Sequence, residues 1–225
     1  MKVLVGCPTY RNKEYALAEY AKAVKALKHD GFEMDILLVD NTATDEYLEK
    51  IKAAGLPAVK GPWKEGARDR IVASRNILRD KVLNEGYDYL FSLEQDVIPA
   101  PDTLMRMLAH KKRIVTSVVY NNLPVGDKIE LRPMLYAQHP VDPTGLWYVN
   151  EEQLKEPGLK RVLATHLSCV LIHRSILEFF PFRYMGSTFD DMAFSKDVLD
   201  HGFLILVDPE IRPNHLHGSW EGIKK

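Results

Sequence analysis

The sequence predicts an α/β fold built on a largely parallel sheet. Three observations predict it. Short apolar runs alternate with segments of helical periodicity, the rhythm of strand–helix–strand units. The first apolar run, Lys2 to Cys7, lacks clear polar alternation, as expected of a strand covered on both faces. Glycines stand where the helical patterns stop, at Gly31, Gly55, Gly86 and Gly202.

Taken in order, Lys2 to Cys7 is the first strand. Leu17, Tyr20, Ala21, Val24 and Leu27 recur at helical spacing before Gly31. Met34 to Val39 is a second buried strand, ending at Asp40 and Asn41. Residues 44–54 and 67–85 read as helices, closed by Gly55 and Gly86. Tyr87 to Leu93 is a third strand, and a short helix is expected near Asp102–His110. Arg113 to Tyr120 is another strand. Residues 121–160 break the rhythm with five prolines, and a hairpin near Leu131–Gln138 and loops are expected there. Val162 to His173 returns to strand, Asp191 to His201 to helix and Phe203 to Val207 to strand. No repeat, low-complexity tract or linker divides the chain, so a single domain over 1–225 is expected.

Composition bounds the function. With 30 Lys plus Arg against 31 Asp plus Glu, the net charge is −1. That balance gives no global electrostatic drive toward nucleic acid or an anionic membrane. The two cysteines, Cys7 and Cys169, are far apart and outside metal-type spacing. They read as free thiols in a reducing compartment, with one disulfide as the alternative. The opening apolar run is too short for a signal peptide. No run approaches the roughly 20 apolar residues of a membrane span. The expectation is a cytoplasmic protein with no nucleic-acid partner and no membrane span.

In open α/β sheets ligands gather at the carboxyl ends of strands. There the chain places Pro8-Thr9-Tyr10-Arg11-Asn12, then Asp40-Asn41, then Glu94-Gln95-Asp96. Charge at the exit of a buried strand needs a partner. Glu94 and Asp96 either open a solvated turn or hold a hard divalent cation, Mg²⁺ or Mn²⁺, together with substrate phosphates. Asp40 and Asn41 fit equally a turn with local side-chain hydrogen bonds. Arg75 shares a helical stripe with Ile71, Leu78 and Val82, so its guanidinium faces inward. It requires an anionic partner: a strand-end carboxylate or a ligand phosphate. Asp190 and Asp191 open a helix, where one Asp suffices as a cap and the other is left for another task. His215-x-His217 puts two imidazoles on one side of an extended segment, as metal ligands or as structural histidines.

These motifs, in this order, resemble a GT-A fold glycosyltransferase, most like glycosyltransferase family 2: a Rossmann-like, mostly parallel central sheet flanked by helices. Val3 to Asn12 is similar to the family's first strand and nucleotide-contacting loop. Leu37 to Asp45 resembles its second-strand motif, whose Asp contacts the donor base. Ala73-Ser74-Arg75-Asn76 is similar to the stretch before the metal motif. Glu94-Gln95-Asp96 stands in the place of Asp-x-Asp, and Phe189-Asp190-Asp191 in that of the Glu-Asp motif. Glu94 for Asp and Asp190 for Glu are departures, and no Gln-x-x-Arg-Trp motif of processive synthases is present.

The resemblance implies a nucleotide-binding half, 1–120, and an acceptor and catalytic half, 121–225. It implies a UDP- or GDP-linked sugar as donor and a sugar, glycan or small molecule as acceptor. Pro8, Thr9, Tyr10, Asp40, Asn41, Arg75, Glu94, Gln95 and Asp96 would meet the donor. Asp96 with His217 or His215 would hold Mn²⁺ or Mg²⁺, and Asp191 would be the base of an inverting transfer. A carboxylate at a helix N-terminus is expected to have a lowered pKa, which weakens it as a base. Asp190, Trp147 and Tyr148 fall on the acceptor side; Tyr136, Trp147 and Tyr148 would stack on sugars or form local core. Two other functions fit the architecture: a nucleotidyltransferase, and a non-catalytic nucleotide-sugar or glycan-binding protein.

Overall fold

The structure is a computed structural model and describes residues 1–125, 127–142 and 144–216. Its centre is an eight-stranded sheet. The strands are β1 (Lys2–Thr9), β2 (Glu33–Asp40), β3 (Ala58–Lys60), β4 (Tyr89–Leu93), β5 (Ile114–Thr116), β6 (Lys160–Val162), β7 (Cys169–His173) and β8 (Ile205–Val207). They lie in the order β6-β8-β5-β7-β4-β1-β2-β3. β1 pairs in parallel with both β2 and β4, and β2 with β3. β7 runs antiparallel between β4 and β5, and β6 antiparallel to β8.

Alternate residues of a strand face opposite layers. Leu4 packs in one core with Val39, Leu78, Val82 and Ile172. Val3 and Val5 pack in the other with Tyr20, Leu38, Phe91 and Met107. The helices that cover these faces are α1 (Leu17–Lys25), α2 (Glu46–Ala53), α3 (Ala67–Asn84), α4 (Thr103–Ala109) and α5 (Asp190–Asp200). α3 has no Gly or Pro in its interior and is followed by Gly86 at φ +74°, a conformation that halts a helix without Cβ strain. It crosses β1 at Gly6, where a Cβ would stand 2.7 Å from Leu90 Cδ1 and 3.0 Å from Leu78 Cδ1. Asn76 of α3 donates to the Phe182 carbonyl (2.8 Å) and accepts from its N–H (2.9 Å), docking the segment before α5.

Three sequence expectations are corrected. The strand expected over Arg113–Tyr120 leaves the sheet after Thr116, because the Val118 N–H is taken by the Ile211 carbonyl at 2.9 Å. The hairpin is Tyr120–Val125 with Lys128–Pro133, upstream of the expected one. Leu135–Gln138 instead pairs with Leu146–Tyr148 and with Ala164–Thr165. The strand expected over Val162–His173 is broken at His166–Ser168. His166 is buried there and locks the break. Its Nε2 faces the Ser117 carbonyl at 3.1 Å, which can only accept, so Nδ1 receives the Ser168 hydroxyl at 2.8 Å. Burial holds this imidazole neutral, with its pKa lowered to about 4.

Candidate functional site

Because β7 is antiparallel to β4, the loop that precedes it lies beside the carboxyl end of β4. The Leu167 carbonyl of that loop accepts from Arg75 Nη1 (3.3 Å) and Ser92 Oγ (2.6 Å). Arg75, 2% exposed, is the hub of the site. Its Nη2 lies 2.6 Å from Glu94 Oε1, and its Nη1 donates to Ser92 Oγ at 2.7 Å. Its Nε stands 2.5 Å from Asp190 Oδ2, an ionic contact without well-aimed hydrogen-bond geometry. One guanidinium therefore ties the strand-end acid to the acid that opens α5, and protein groups occupy all sides of it.

Asp190 and Asp191 do not divide the work as a cap and a spare. The N-cap is Phe189, and no side chain caps α5. Asp190 is buried against Arg75, and Asp191 Oδ1 accepts its neighbour Met192 N–H at 2.7 Å. The expected lowering of the Asp191 pKa is reversed. Burial, then the adjacent Asp190 charge, push it up to about 6, against the pull of the Met192 N–H and Arg75. Tyr136 lies close enough to feel the charge of Asp191. Its ring meets that of Tyr148 at a tilt of 37° and 5.1 Å between centres, while the half-exposed Trp147 meets His139 edge-on.

Asp96 forms a second centre. Its Oδ2 is contacted by Lys13 Nζ, by Tyr15 OH at 3.1 Å and by His215 Nε2 at 3.4 Å. Its Oδ1 is buried and has no hydrogen-bond partner among the described residues. His215 arrives through a two-residue pairing of Asn214–His215 with Val97–Ile98, reinforced by Leu216 N–H on the Asp96 carbonyl at 2.8 Å. The Tyr120 carbonyl, 2.7 Å away, fixes a proton on His215 Nδ1 and turns Nε2 toward Asp96. Burial opposes charge on both groups. Even so, hydrogen bonds to Asp96 and Tyr120 hold His215 above its usual pKa, and His215 and Lys13 hold Asp96 well below its own. His217 lies outside the described residues.

Behind these groups Gln95 is buried and fully occupied. Its Oε1 receives Thr9 Oγ1 and Tyr47 OH (2.9 Å), and its Nε2 donates to the Lys13 carbonyl at 2.8 Å. Asp40 is likewise buried in a local turn, accepting Thr42 N–H (2.9 Å), Thr42 Oγ1 (2.6 Å) and Lys60 Nζ (3.2 Å). The Asn41 amide donates to Ser74 Oγ at 3.3 Å. Gln95 and Asp40 therefore brace the strand ends. Pro8, Thr9, Tyr10, Asn41 and Glu94 line an open cleft of about 160 Å³. Lys13, Arg70 and Phe189 line it too; the sequence signals neither Lys13 nor Arg70, and Phe189 only as the residue ahead of the Asp190-Asp191 pair. Arg70 is pinned by the Lys64 and Glu65 carbonyls, each at 2.7 Å, and lies over Tyr10 and Trp63.

The donor set fits a hard divalent cation. Asp96 Oδ1 is an orphaned buried acceptor, and His215 has the carbonyl-oriented tautomer of a metal-binding imidazole. The described residues hold no group of three or more metal-ligating side chains, so phosphate and water oxygens would complete the shell.

No family model matches the chain, and no curated protein matches it. Solved structures do. GalNAc-T7 with UDP, GalNAc and Mn²⁺ aligns over 96% of this chain and 44% of its own, at 15% identity and a TM-score of 0.69. S. aureus TarS aligns over 95% of this chain and 36% of its own, at 15% identity and a TM-score of 0.63. A TarS 1–349 structure with UDP-GlcNAc aligns at 15% identity and a TM-score of 0.59, over 95% of this chain and 57% of its own. This chain thus spans about half or less of the first two. The architecture is the GT-A fold of these glycosyltransferases.

Proposed function

From this fold and cleft, we propose that the chain is a metal-dependent inverting glycosyltransferase, acting as a single domain. It would move a sugar from a UDP- or GDP-linked donor to a hydroxyl of a sugar, glycan or small molecule. The observation that carries the reading is Asp191. It is a carboxyl whose pKa of about 6 suits proton abstraction near neutral pH, two residues beyond the cleft-lining Phe189. Arg75 links it through Asp190 to the strand-end acid on the donor side. The UDP and UDP-GlcNAc in the similar structures support a nucleotide-diphosphate donor, and the Mn²⁺ beside UDP supports a divalent metal.

Asp96 with His215 would hold that metal, which supplies charge stabilisation to the leaving diphosphate. Pro8, Thr9, Tyr10 and Asn41 would seat the nucleoside, with Asp40 and Gln95 bracing them from behind. Asp191 would take the acceptor proton as the hydroxyl attacks the anomeric carbon opposite the leaving group, which inverts that centre. Tyr136, Trp147 and Tyr148 offer ring faces on the acceptor side. The two cysteines are buried free thiols, which supports a reducing, cytoplasmic setting.

The test is a panel of UDP- and GDP-sugars with Mn²⁺, scored for slow donor hydrolysis. One donor should be consumed, and Asp96→Ala should abolish its Mn²⁺-dependent binding. Binding without hydrolysis or transfer would leave a non-catalytic protein. Pyrophosphate release from a sugar phosphate and a nucleoside triphosphate would make it a nucleotidyltransferase.

A further inference from the structure

We propose that Lys13 is an exchangeable counter-cation: its ammonium neutralises Asp96 while the site is empty, and moves onto the donor diphosphate when a divalent cation takes the carboxylate. The inference rests on the donor-site reading above and adds an order to it, in which metal and nucleotide bind well only together.

The two oxygens of Asp96 are unequal. Lys13, Tyr15 and His215 all meet Oδ2, whereas Oδ1 is buried and bare among the described residues. An incoming cation thus has an oxygen to take, but it arrives beside an ammonium on the same carboxylate. A divalent charge repels that ammonium with twice the force of a unit charge, and partial burial weakens the screening. Metal alone is therefore disfavoured until Lys13 has somewhere to go.

The cleft provides the place. Lys13 lines it, and its second anionic neighbour is Glu94 Oε2 at 3.9 Å. Among the described residues its ammonium makes no hydrogen bond to a carbonyl, so no backbone contact ties it down. The other cations near the cleft differ. Arg70 is held by two carbonyls, and Arg75 is enclosed by Ser92, Leu167, Glu94 and Asp190. A long, flexible lysine stem suits a point charge that changes partners. The backbone of Lys13 stays where it is, because its carbonyl holds Gln95.

The experiment titrates Mn²⁺ by electron paramagnetic resonance, alone and with UDP or GDP. In the wild-type protein the preferred nucleotide should tighten Mn²⁺ by roughly 5–150-fold, the usual span of coupled sites. In Lys13→Met, Mn²⁺ alone should bind about tenfold tighter or better, and the nucleotide's added effect should shrink toward unity. Lys13→Arg restores the charge and should restore weak binding of Mn²⁺ alone, so a general loosening of the loop is distinguished from loss of the ammonium. Thermal melts confirm that each variant is folded. If wild type and Lys13→Met bind Mn²⁺ alone equally while the nucleotide still tightens it, the exchange is refuted and the donor site stands. If neither binds Mn²⁺ with either nucleotide, the metal-dependent donor reading falls and takes the exchange with it.

Discussion

Replacing Asp191 with Asn separates catalysis from architecture. Asn preserves the size of the side chain and can still accept the Met192 N–H. The wild-type carboxyl is moved from 3.8 to about 6, mainly by burial and by Asp190. At about 1.4 kcal/mol per pH unit, its ionised form costs the fold up to about 3 kcal/mol. The sign is fixed. The native state holds the proton more tightly than the unfolded chain, so this group's contribution to stability is fully present below about 4 and is lost as pH rises to about 6. Asp191→Asn removes that cost. At pH 8 the variant should gain about 1–3 kcal/mol, or several degrees in melting temperature for a chain of this length. The gain should vanish by pH 4. Over the same range wild-type kcat/KM should fall below about pH 6, and the variant should lose roughly 10²-fold or more in turnover with donor affinity intact. Melts from pH 4 to 8, paired with transfer or donor-hydrolysis rates, make the measurement. A variant that is less stable at pH 8, or one that turns over normally, refutes the assignment of Asp191 as a half-buried base.

Two further outcomes follow from the packing. Arg75→Met should leave Asp190 and Glu94 without their cation and destabilise the protein by about 3–5 kcal/mol, read as a large fall in the unfolding midpoint; an unchanged midpoint would contradict the hub geometry. Gly6→Ala should cost about 1–3 kcal/mol through the Cβ clash with Leu90 and Leu78, and Leu90→Ala in the same chain should recover part of it, giving a non-additive cycle.

What the sequence reveals, and what it hides, has a physical reason in each case. β1 is legible because a strand covered on both faces must be apolar almost throughout, and β2 because its buried end, Leu37 to Val39, is apolar. Arg75 is legible because a guanidinium on an apolar stripe advertises a buried partner. β7 is recognisable as a strand, but an apolar run does not show its direction. The break before β7 depends on His166 reaching Ser117, a contact with no local signal. Lys13 lies in a polar stretch without periodicity, and its contact with Asp96 spans 83 positions. The Asp191 pKa misleads locally, because the helix terminus argues for a stronger acid and tertiary burial outweighs it.

The Arg75 hub also bears on the order in which the chain is made. Its partners are at positions 92, 94, 167 and 190. A ribosome that has released only the first 150 residues has delivered β1 to β4 but not β7, so β4 would present an open edge. It would also have made Arg75 without Asp190, and a guanidinium lacking that acid resists burial. The β1–β4 portion therefore cannot lock when it emerges. It waits, with a strand edge open to wrong pairings until β7 follows and with Arg75 lacking Asp190 until α5 does. Translation pauses or helper proteins acting between residues 95 and 190 would govern the yield of native protein more than events at either end of that interval.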